Sequence, residues 1–379
     1  MTSTVALIGV GGHGRTHRRT VAELESAGVV RLVALCDVAP VEDPPPGVAV
    51  YRNHVAMIDE IRPDIVITCT PPHTHLSIAT TAMRRGSDVL LEKPPVLNVA
   101  EHHALLDVVA QTGRACQVGF QALASPALAE LVTAIDRNEL GPLQTVTVVG
   151  AWKRDDSYYR RGPWVGRQRV DGHPVLDGAL ANPFAHAVMQ VLAIVRDHPV
   201  RVEVERYRTR DIEVDDTAAL RLTFDTGVRA FVAVTLCAEE FVPGEIAVTG
   251  TDAAAFLEYP TDRLQLPGDA DLRSVPGRPS LLANLAAHRI DPATALIAPL
   301  SRTLAFTELL ESITASPVTP VDPAWVVPAD DMPHPRRAIS GINGTLRLAA
   351  QQLALFSELA APWAVPASLR ATTTKGTRE

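Results

Sequence analysis

Gly9-Val10-Gly11-Gly12-His13-Gly14 follows the apolar run Val5 to Ile8 near the start of this 379-residue chain, and a helix-like stretch, Arg15 to Ala27, comes next. A strand, a glycine turn and a helix N-terminus in this order form an anion site, because free backbone N–H groups and the positive end of the helix dipole converge there. The spacing Gly9-x-Gly11-x-x-Gly14 predicts a dinucleotide pyrophosphate site, with a glycine turn in an ordinary βαβ unit as the alternative.

A second strand and the residue after it support the dinucleotide interpretation. Val30 to Cys36 (VRLVALC) has the composition of a buried strand, and Asp37 follows it at about the expected twenty residues beyond the glycines. A carboxylate at this point accepts hydrogen bonds from the adenosine ribose and repels a 2′-phosphate. Because Val38-Ala39-Pro40 offers no compensating arginine, we expect NAD as the cofactor rather than NADP.

Composition excludes several other classes of protein. A chain of 379 residues can form two domains with complete cores, and its net charge of −8 argues against nucleic acid or an anionic membrane as a partner. The four isolated cysteines indicate reduced thiols, and no apolar run reaches the ~18 residues of a membrane span. We therefore expect a cytoplasmic protein that acts on a small molecule.

The order of the segments predicts two α/β domains. Strand-like and helix-like segments alternate up to Gly119, which is typical of a doubly wound Rossmann sheet of parallel strands. From Gln144 onward strand-like runs follow one another, which predicts an α+β domain with a large, mostly antiparallel open sheet. One face of that sheet is expected to carry helices and the other to pack on a partner subunit in a homodimer or homotetramer.

We place the domain boundaries where alternating strands and helices give way to consecutive strands. The prediction is an NAD-binding domain at residues 1–122, a substrate-binding and oligomerisation domain at 123–366, and a disordered polar tail at 367–379. Within the second domain, the proline- and glycine-rich residues 260–299 are interpreted as an excursion loop, and residues 336–359 as a helix.

Polar residues follow three further predicted strands of the first domain, at the sheet edge where ligands bind. These residues are Thr70-Pro71-Pro72-His73-Thr74-His75, Glu92-Lys93-Pro94 and Gln121. For His75 the alternative is a cap on the next helix, and for Glu92 it is pairing with a basic neighbour. The expected cofactor-binding residues are Gly9, Val10, Gly11, Gly12, His13, Gly14, Asp37, Thr70, Pro71, His75, Glu92, Lys93 and Gln121.

Gly9-x-Gly11-x-x-Gly14-x-x-His17, Thr70 to His75 and Glu92-Lys93-Pro94, in this order, resemble the glucose-fructose oxidoreductase, inositol dehydrogenase and rhizopine-catabolism (Gfo/Idh/MocA) family. The resemblance implies an NAD(P)-dependent enzyme that oxidises or reduces carbinol carbons of sugars and cyclitols. It also implies that Lys93 lies in the active site. A departure occurs at Gln121-Ala122, where many relatives have asparagine and then arginine.

The chemistry of alcohol oxidation assigns the same role to Lys93. Hydride transfer from a secondary alcohol leaves a hydroxyl proton that a base must accept, and a cationic nicotinamide ring favours the neutral form of a nearby amine. Lys93 follows a strand and precedes Pro94, which can adopt a cis peptide. The alternative is a turn lysine that points into solvent.

The resemblance further implies an Asp-x-x-x-His signature on a helix of the second domain, where i and i+4 residues share one face. The match here is Asn182-Pro183-Phe184-Ala185-His186, so the histidine is present and the aspartate is not. Asn182 before Pro183 also fits a helix cap. Asp177 is a second source of a carboxylate. The expected catalytic residues are Lys93, His186, Asn182 and Asp177.

A stretch between Trp152 and Trp164, WKRDDSYYRRGPW, is rich in aromatic and arginine side chains. Aromatic faces and guanidinium groups bind polyhydroxylated rings and their acidic derivatives, although a packing strip between domains is equally compatible with this composition. We take Lys153 and Arg154 as substrate-binding candidates, together with Lys93, Asn182 and His186.

The sequence thus predicts an NAD(P)-dependent dehydrogenase or reductase that acts on CH–OH groups of a sugar, cyclitol or sugar derivative. Two alternatives stay open. One is a redox-assisted enzyme that retains NAD and labilises a bond such as a glycosidic linkage. The other is a catalytically decayed nucleotide-sensing protein, which Asn182 in place of aspartate would fit. No metal site is expected, because no histidine or cysteine cluster shows ligand spacing.

Overall fold

The computed structural model describes residues 2–329 and 331–364, and the predicted tail at 367–379 lies outside this range. The chain divides into two compact units. The first runs to Ala124 and includes Pro279–Thr307, and the second consists of Ser125–Arg278 and the residues from Glu308 onward. The first boundary lies close to the expected one, but Pro279–Thr307 belongs to the first unit and not to the second. No helix in the described part of the chain is long and apolar enough to cross a membrane.

The first unit contains a six-stranded parallel sheet with strand order β3-β2-β1-β4-β5-β6. This is the doubly wound dinucleotide-binding order, which reverses direction between β1 and β4. The strands are β1 (Ser3–Ile8), β2 (Val30–Cys36), β3 (Ala49–Tyr51), β4 (Ile65–Thr68), β5 (Asp88–Leu91) and β6 (Cys116–Val118). The helices are α1 (Gly14–Ser26), α2 (His54–Ile61), α3 (His75–Arg84) and α4 (Val99–Thr112).

Burial explains why these strands are continuously apolar. Every residue of β4 and β5 is buried, because helices cover both faces of a parallel sheet. The cap expected at Asn98 is present, since its side chain accepts a hydrogen bond from the Glu101 backbone N–H at 2.9 Å. Side-chain caps at Asn53 and Asn98 thus mark where α2 and α4 begin, and buried apolar runs mark the strands.

The second unit is organised around a nine-stranded sheet with the order β16-β15-β14-β13-β7-β12-β11-β10-β17. Only the β7–β12 and β10–β17 pairs are parallel, so the predicted fold class is confirmed. Its elements up to residue 274 are β7 (Leu143–Lys153), β8 (Arg169–Val170), β9 (His173–Pro174), β10 (Pro199–Arg208), β11 (Thr217–Phe224), β12 (Arg229–Thr235), β13 (Cys237–Gly250), β14 (Ala254–Glu258), β15 (Arg263–Gln265) and β16 (Arg273–Ser274), with helices α5 (Pro126–Asp136), α6 (Asp156–Arg160) and α7 (Ala185–Val195).

The next segment was expected to be a loop but forms a helix of the first unit. Ser280 caps α8 (Leu281–Ile290), and Arg289 of this helix forms ion pairs with Asp64 and Asp88, both at 2.8 Å. Gln117 of β6 donates to the Leu281 carbonyl at 2.5 Å and accepts from the Ala298 N–H at 3.1 Å. The excursion-loop prediction is wrong because these partners lie more than 150 residues away in sequence. Helix α9 (Leu304–Ala315) then continues the chain into the second unit.

The described C-terminal residues differ from the single helix expected at 336–359. They form β17 (Val318–Pro320), β18 (Val326–Ala329), β19 (Arg336–Ile339) and a shorter helix, α10 (Ile342–Gln352). The start of the predicted helix is a strand, because β19 pairs antiparallel with β18.

Helices pack on both faces of the central strands of the nine-stranded sheet. Phe184, next to α7, lies against Gly150 of β7, where an added Cβ would come within 2.3 Å of its ring. On the other face, Ile342 and Leu346 of α10 share a buried cluster with Ala151 and Phe231. The expectation of one free sheet face is therefore wrong for β7 and β12, since α10 covers them.

Candidate active site

The glycine turn has a packed side and an open side. A Cβ on Gly9, whose φ is +85°, would lie 2.1 Å from the Cys69 carbonyl oxygen, and one on Gly14 would lie 2.0 Å from the Gly9 carbonyl oxygen. A Cβ on Gly11 or Gly12 would meet nothing within 4 Å. The first and third glycines of the motif therefore let helix and strand approach, while the middle of the turn faces space that a pyrophosphate can fill.

Asp37 lies beside this turn, as the spacing predicted. Its Oδ2 accepts hydrogen bonds from the N–H groups of Val10 at 2.8 Å and Gly11 at 3.4 Å, and its Oδ1 accepts from Ala39 at 3.0 Å. The carboxylate is thus fixed at the end of β2, with lone pairs left for ribose hydroxyls. Arg18 donates to the carbonyl groups of Glu42 and Asp43 in the loop that follows.

Thr70 and Pro71 follow β4, the strand next to β1 at the point where the strand order reverses. The Cys69 N–H donates to the Ile8 carbonyl at 2.8 Å, so the two strand ends are joined here. The geometry matches the predicted placement of Thr70 and Pro71 at the ligand-binding edge.

His75 does not present its ring to a ligand. The residue is 1% exposed, its Nδ1 lies 3.0 Å from the Pro94 carbonyl oxygen, and its Nε2 lies 2.8 Å from the Thr70 carbonyl oxygen. Burial lowers the pKa of this imidazole. Because both ring nitrogens face backbone carbonyls, we replace the predicted cofactor contact with a positioning role, in which His75 holds the loop after Lys93 against the loop after β4.

Glu92 is the centre of a hydrogen-bonded cluster that the sequence only partly indicated. Its Oε1 lies 2.8 Å from Nε2 of His17, 3.5 Å from Nε2 of His13 and 3.4 Å from the Gln121 amide nitrogen. Its Oε2 accepts from the Lys93 backbone N–H at 3.1 Å. The structure therefore shows Glu92 paired with a basic neighbour and also in contact with the Lys93 backbone, and a contact of Glu92 with the nicotinamide ribose stays a prediction.

Glu92 and His13 each favour the charged form of the other. Burial opposes ionisation of Glu92, but the hydrogen bonds from His13 and His17 outweigh it and hold the Glu92 pKa well below its usual range. The same contact with Glu92 raises the pKa of His13, against the effect of its partial burial. Glu92 is thus a stable anion beside the backbone of Lys93.

His13 and His17 were not taken into account in the prediction that the chain has no metal site. His13 and His17 are four residues apart, and their ring nitrogens lie with a Glu92 oxygen within 4.8 Å of one another. Nitrogen and carboxylate donors in this number can ligate zinc. Nε2 of His17 lies 2.8 Å from Oε1 of Glu92, a contact that the separation of 75 residues hid from the sequence.

Lys93 follows β5 at the carboxyl edge of the sheet and is partly buried. The Lys93–Pro94 peptide is cis. Gly119 makes room for the preceding carboxylate, because a Cβ at that position would come within 2.8 Å of both Glu92 oxygens. Gly119 therefore leaves the Glu92 carboxylate the space from which its Oε2 accepts the Lys93 N–H at 3.1 Å.

In the second unit, Asp177 and Asn182 are brought together. The Asn182 side-chain amide donates to Oδ1 of Asp177 at 3.0 Å, and the Gly166 N–H donates to Oδ2 at 2.8 Å. Asp177 is 5% exposed. The interpretation of Asn182 as a helix cap is wrong, because α7 begins at Ala185 with Phe184 at its N-cap and no side-chain cap bond.

A buried ion pair that the sequence analysis missed holds the loop around Asn182. Arg206 donates from Nε to Oδ1 of Asp215 at 2.7 Å, and both side chains are almost fully buried. The Asp215 carbonyl accepts from the Ala179 N–H at 3.1 Å. Gly178 has a φ of +116°, and a Cβ there would lie 2.5 Å from Oδ1 of Asp215. The turn after Asp177 therefore requires glycine.

His186 lies in the first turn of α7 and is partly exposed. The start of this helix is anchored by Phe184, whose ring centroid lies 4.4 Å from that of Trp152. The sequence predicted an apolar helix that carries His186. It did not predict the contact between the rings of Phe184 and Trp152 at the start of that helix.

Lys153, at the end of β7, and Arg154, in the loop after it, are two of the predicted substrate-binding residues, and they have different partners. The Lys153 ammonium forms an ion pair with Asp331 at 2.7 Å, so its charge is already neutralised within the chain. The Arg154 guanidinium instead lies over the rings of Trp152 and Tyr158, at 4.8 and 5.3 Å from their centroids. The structure thus argues against Lys153 as a substrate ligand and leaves Arg154 as the stronger candidate.

The strand order, the open glycine turn and Asp37 together define the first unit as a dinucleotide-binding domain of the Rossmann class. Comparison with known proteins agrees. Residues 3–120 match the family model described as "Oxidoreductase family, NAD-binding Rossmann fold", and residues 128–256 match the "GFO/IDH/MocA C-terminal domain". The chain belongs to the Gfo/Idh/MocA family, which confirms the resemblance inferred from the motifs.

Two curated relatives carry related names. Inositol 2-dehydrogenase of Rhizobium meliloti is 32% identical over 152 residues, which cover 39% of this chain and 45% of the relative. scyllo-Inositol 2-dehydrogenase (NAD(+)) of Bacillus subtilis is 38% identical over 78 residues, or 21% of this chain and 23% of the relative. The aligned stretches thus span less than half the length of each relative.

Solved structures share the fold over most of the chain. The WlbA dehydrogenase of Bordetella pertussis, in complex with NADH and UDP-GlcNAcA, superposes with a TM-score of 0.70 at 20% identity and covers 83% of this chain and 96% of that one. Myo-inositol 2-dehydrogenase of Lactobacillus plantarum has a TM-score of 0.64 at 17% identity and covers 83% of this chain and 96% of that one. At these identities the likeness establishes the fold.

Proposed function

We propose that the protein is an NAD-dependent oxidoreductase that transfers hydride between nicotinamide and a carbinol carbon of a sugar, cyclitol or sugar derivative. The observation that carries the proposal is the ligand-binding edge of the first unit. There a glycine turn with open space above it, the fixed Asp37 carboxylate and the Glu92–Lys93 segment follow β1, β2 and β5 of one parallel sheet. Family membership and the names of the curated relatives support the same class of reaction.

The residues present fit the dinucleotide. The turn at Gly11 and Gly12 leaves the space that a pyrophosphate needs, and Asp37 offers lone pairs to ribose hydroxyls. Bound NAD would supply the hydride acceptor. Asp37 also supports NAD over NADP, because a second negative charge at the ribose would be repelled by this carboxylate.

Lys93 is the proposed proton acceptor. Oxidation of a secondary alcohol releases one hydride from carbon and one proton from the hydroxyl, and a positioned amine can take that proton. Glu92 holds the Lys93 backbone through the 3.1 Å hydrogen bond, so the side chain projects from a fixed point. His186, Asn182 and Asp177 of the second unit stay predicted catalytic residues.

A spectroscopic screen tests the proposal. Purified protein is mixed with NAD⁺ or NADP⁺ and with a panel of hexoses, hexuronic acids, hexose phosphates and inositols, and absorbance at the reduced-nicotinamide band is followed. We expect steady formation of NADH with at least one alcohol and a preference for NAD⁺. Absence of NADH with every alcohol, while NAD⁺ still binds in calorimetry, would contradict the proposal and favour a nucleotide-sensing role.

The same screen separates the redox-assisted alternative. An enzyme that retains its cofactor would convert a glycoside without accumulation of NADH in solution, whereas a dehydrogenase produces NADH in proportion to the oxidised product. Product turnover at constant absorbance would therefore replace the proposed reaction by the retained-cofactor reaction.

A further inference from the structure

Two arginine side chains stack on one tyrosine ring in the second unit. The Arg161 guanidinium carbon lies 3.9 Å from the ring centroid of Tyr158, and that of Arg154 lies 5.3 Å from the same centroid. Trp152 and Trp164 extend the stack, with Arg154 4.8 Å from the first ring and Arg161 5.0 Å from the second. We call Arg154, Arg161 and Tyr158 the arginine–tyrosine cluster.

Three other cations close to this cluster have carboxylate partners, whereas the adjacent, exposed Arg160 has none among the described residues. Lys153 pairs with Asp331 at 2.7 Å, Arg167 with Glu213 at 2.9 Å, and Arg210 with Asp156 at 3.3 Å. Over residues 2–329 and 331–364, neither arginine of the cluster has a carboxylate oxygen within ion-pair distance. The cluster therefore concentrates positive charge that the described part of the chain does not neutralise.

Burial makes this arrangement informative. Arg154 is partly buried, and desolvation lowers the pKa of its guanidinium. A partly desolvated guanidinium is normally paired with an anion, because water no longer solvates it fully. Aromatic faces offset part of this cost. The planar group can still donate two parallel hydrogen bonds to an oxyanion.

The cluster belongs to the same unit as two of the predicted catalytic residues. The Gly166 N–H, two residues after Trp164, donates to Oδ2 of Asp177 at 2.8 Å. Burial and the Asp177 charge raise the pKa of Tyr158. Asp177 in turn accepts a hydrogen bond from the Asn182 amide at 3.0 Å. The segment that carries the cluster is thus joined to the Asp177–Asn182 pair within one unit.

We infer that the arginine–tyrosine cluster binds an anionic substituent of the substrate, so that the preferred substrates are carbinol compounds with a carboxylate or phosphate group. This inference rests on the proposed function, because it names the substrate class of that reaction. Carboxylate and phosphate share the chemistry that a guanidinium recognises, namely two oxygens that accept parallel N–H bonds.

Binding to the NADH-loaded protein tests the inference without oxidation of the probe, since reduced cofactor cannot accept hydride from an alcohol. Calorimetric titrations compare D-glucuronate, D-glucose 6-phosphate, D-glucose and myo-inositol at low and high salt. We expect at least one anionic probe to bind about tenfold or more tightly than either neutral probe. That advantage should fall as salt rises, because exposed charges are screened. The two anionic arms distinguish a carboxylate from a phosphate substituent.

Variants connect the preference to the cluster. Arg154→Gln and Arg161→Gln should each weaken binding of the preferred anion by about 10- to 100-fold, as expected for loss of a charge-assisted hydrogen bond. Binding of myo-inositol should change less than threefold. Arg167→Gln is the matched control, because this neighbouring arginine is paired with Glu213. Arg154→Lys keeps the charge but not the planar group and should retain part of the preference.

Several outcomes would overturn the inference. They are equal affinity for charged and neutral probes, no binding of either anion at 10 mM, or equal losses for anion and inositol in both glutamine variants. The Arg161→Gln and Arg154→Lys proteins keep the test valid if Arg154→Gln does not fold. Failure of the proposed function is seen separately, as the absence of NADH formation with all alcohols in the absorbance screen.

Discussion

Glu92 in the first unit and Arg154 in the second are charged side chains withdrawn from water, but the chain treats them differently. Glu92 is surrounded by donors from His13, His17, Gln121 and the Lys93 backbone. Arg154 lies against aromatic faces, with no carboxylate oxygen within ion-pair distance among residues 2–329 and 331–364.

This difference separates two uses of buried charge. A charge that the chain neutralises itself fixes local geometry, because its hydrogen bonds exist before any ligand arrives. A charge without such a partner keeps its binding capacity for a ligand. We interpret the Glu92 cluster as a preformed support for Lys93 and the arginine–tyrosine cluster as a site that a substrate completes.

The largest expected effect tests whether the Glu92 cluster supports a catalytic group. Lys93→Ala should lower kcat by about 10³-fold, because general-base catalysis typically contributes 10²- to 10⁴-fold. Binding of NAD⁺ should change less than threefold, because the turn at Gly11 and the Asp37 carboxylate are untouched. Steady-state kinetics and calorimetry measure the two quantities.

Lys153→Ala is the matched lysine control. Its ammonium is already paired with Asp331 at 2.7 Å, so the loss of kcat should be far smaller than for Lys93→Ala. Similar activity in both variants would remove Lys93 from the reaction and, with it, the interpretation of the Glu92 cluster as a catalytic support.

The next effect contrasts the packed and open sides of the glycine turn. Gly9→Ala should lower the free energy of unfolding by about 3 kcal/mol, because its φ is +85° and the new Cβ would meet the Cys69 carbonyl oxygen. Gly11→Ala should leave folding stability nearly unchanged and weaken NAD⁺ binding by about tenfold or more, because its Cβ would enter the open space. Urea unfolding measures the stability of the two variants, and calorimetry measures their affinity for NAD⁺. Equal loss of stability in both variants would contradict the contrast.

The elements that could be predicted are those with local signals. The strand-glycine-helix unit, the strand that ends at Asp37 and the Glu92-Lys93-Pro94 segment each combine apolar runs with special residues close in sequence. Structure confirms these elements because parallel strands buried on both faces need continuous apolar residues, and their carboxyl ends meet at one edge.

The elements that were missed depend on distant partners. Helix α8 has a local signal in Ser280 and the apolar residues after it, but its place in the first unit depends on ion pairs from Arg289 to Asp64 and Asp88, about 200 residues away. The strand β19 likewise replaced the start of a predicted helix, and its Arg336 donates to the carbonyl of Ala238, 98 residues away in sequence, at 2.6 Å. Such contacts leave no periodic pattern in one sequence, so propensity alone could not identify them.

A smaller effect concerns the histidines that neutralise Glu92. His17→Ala should lower the free energy of unfolding by about 2 kcal/mol, because it removes a hydrogen bond to a buried carboxylate. His13→Ala should cost less than about 1 kcal/mol, because the His13 side chain is 53% exposed and its contact is screened. Equal costs for the two variants would contradict the assignment of His17 as the main partner.

The cost of His13→Ala should also depend on pH. The Glu92 pKa is lowered in the folded protein, so its contribution is present above the ordinary value of 4.5 and is lost as pH falls through the folded value. The His13 pKa is raised, so its contribution is fully present below the ordinary value of 6.5 and is lost as pH rises through the folded value. The cost should therefore be greater at pH 6 than at pH 9, and unfolding curves at both values measure it.

A further effect concerns cofactor choice, because the Asp37 carboxylate is expected to accept hydrogen bonds from the neutral ribose hydroxyls of NAD. Asp37→Ser should reduce the ratio of kcat/KM for NAD⁺ to that for NADP⁺ by about tenfold, because it removes an acceptor for ribose hydroxyls and a repulsive charge near a 2′-phosphate. Glu42→Gln is the control, because this carboxylate is 85% exposed and its ion pair with Arg15 is long, at 4.0 Å. An unchanged ratio in Asp37→Ser would assign the carboxylate to the glycine turn alone, where Val10 already donates to it at 2.8 Å. In that case Asp37, like Glu92, would be a charge whose hydrogen bonds within the chain serve to fix local geometry. Any preference for NAD would then have to come from other groups of the ribose pocket.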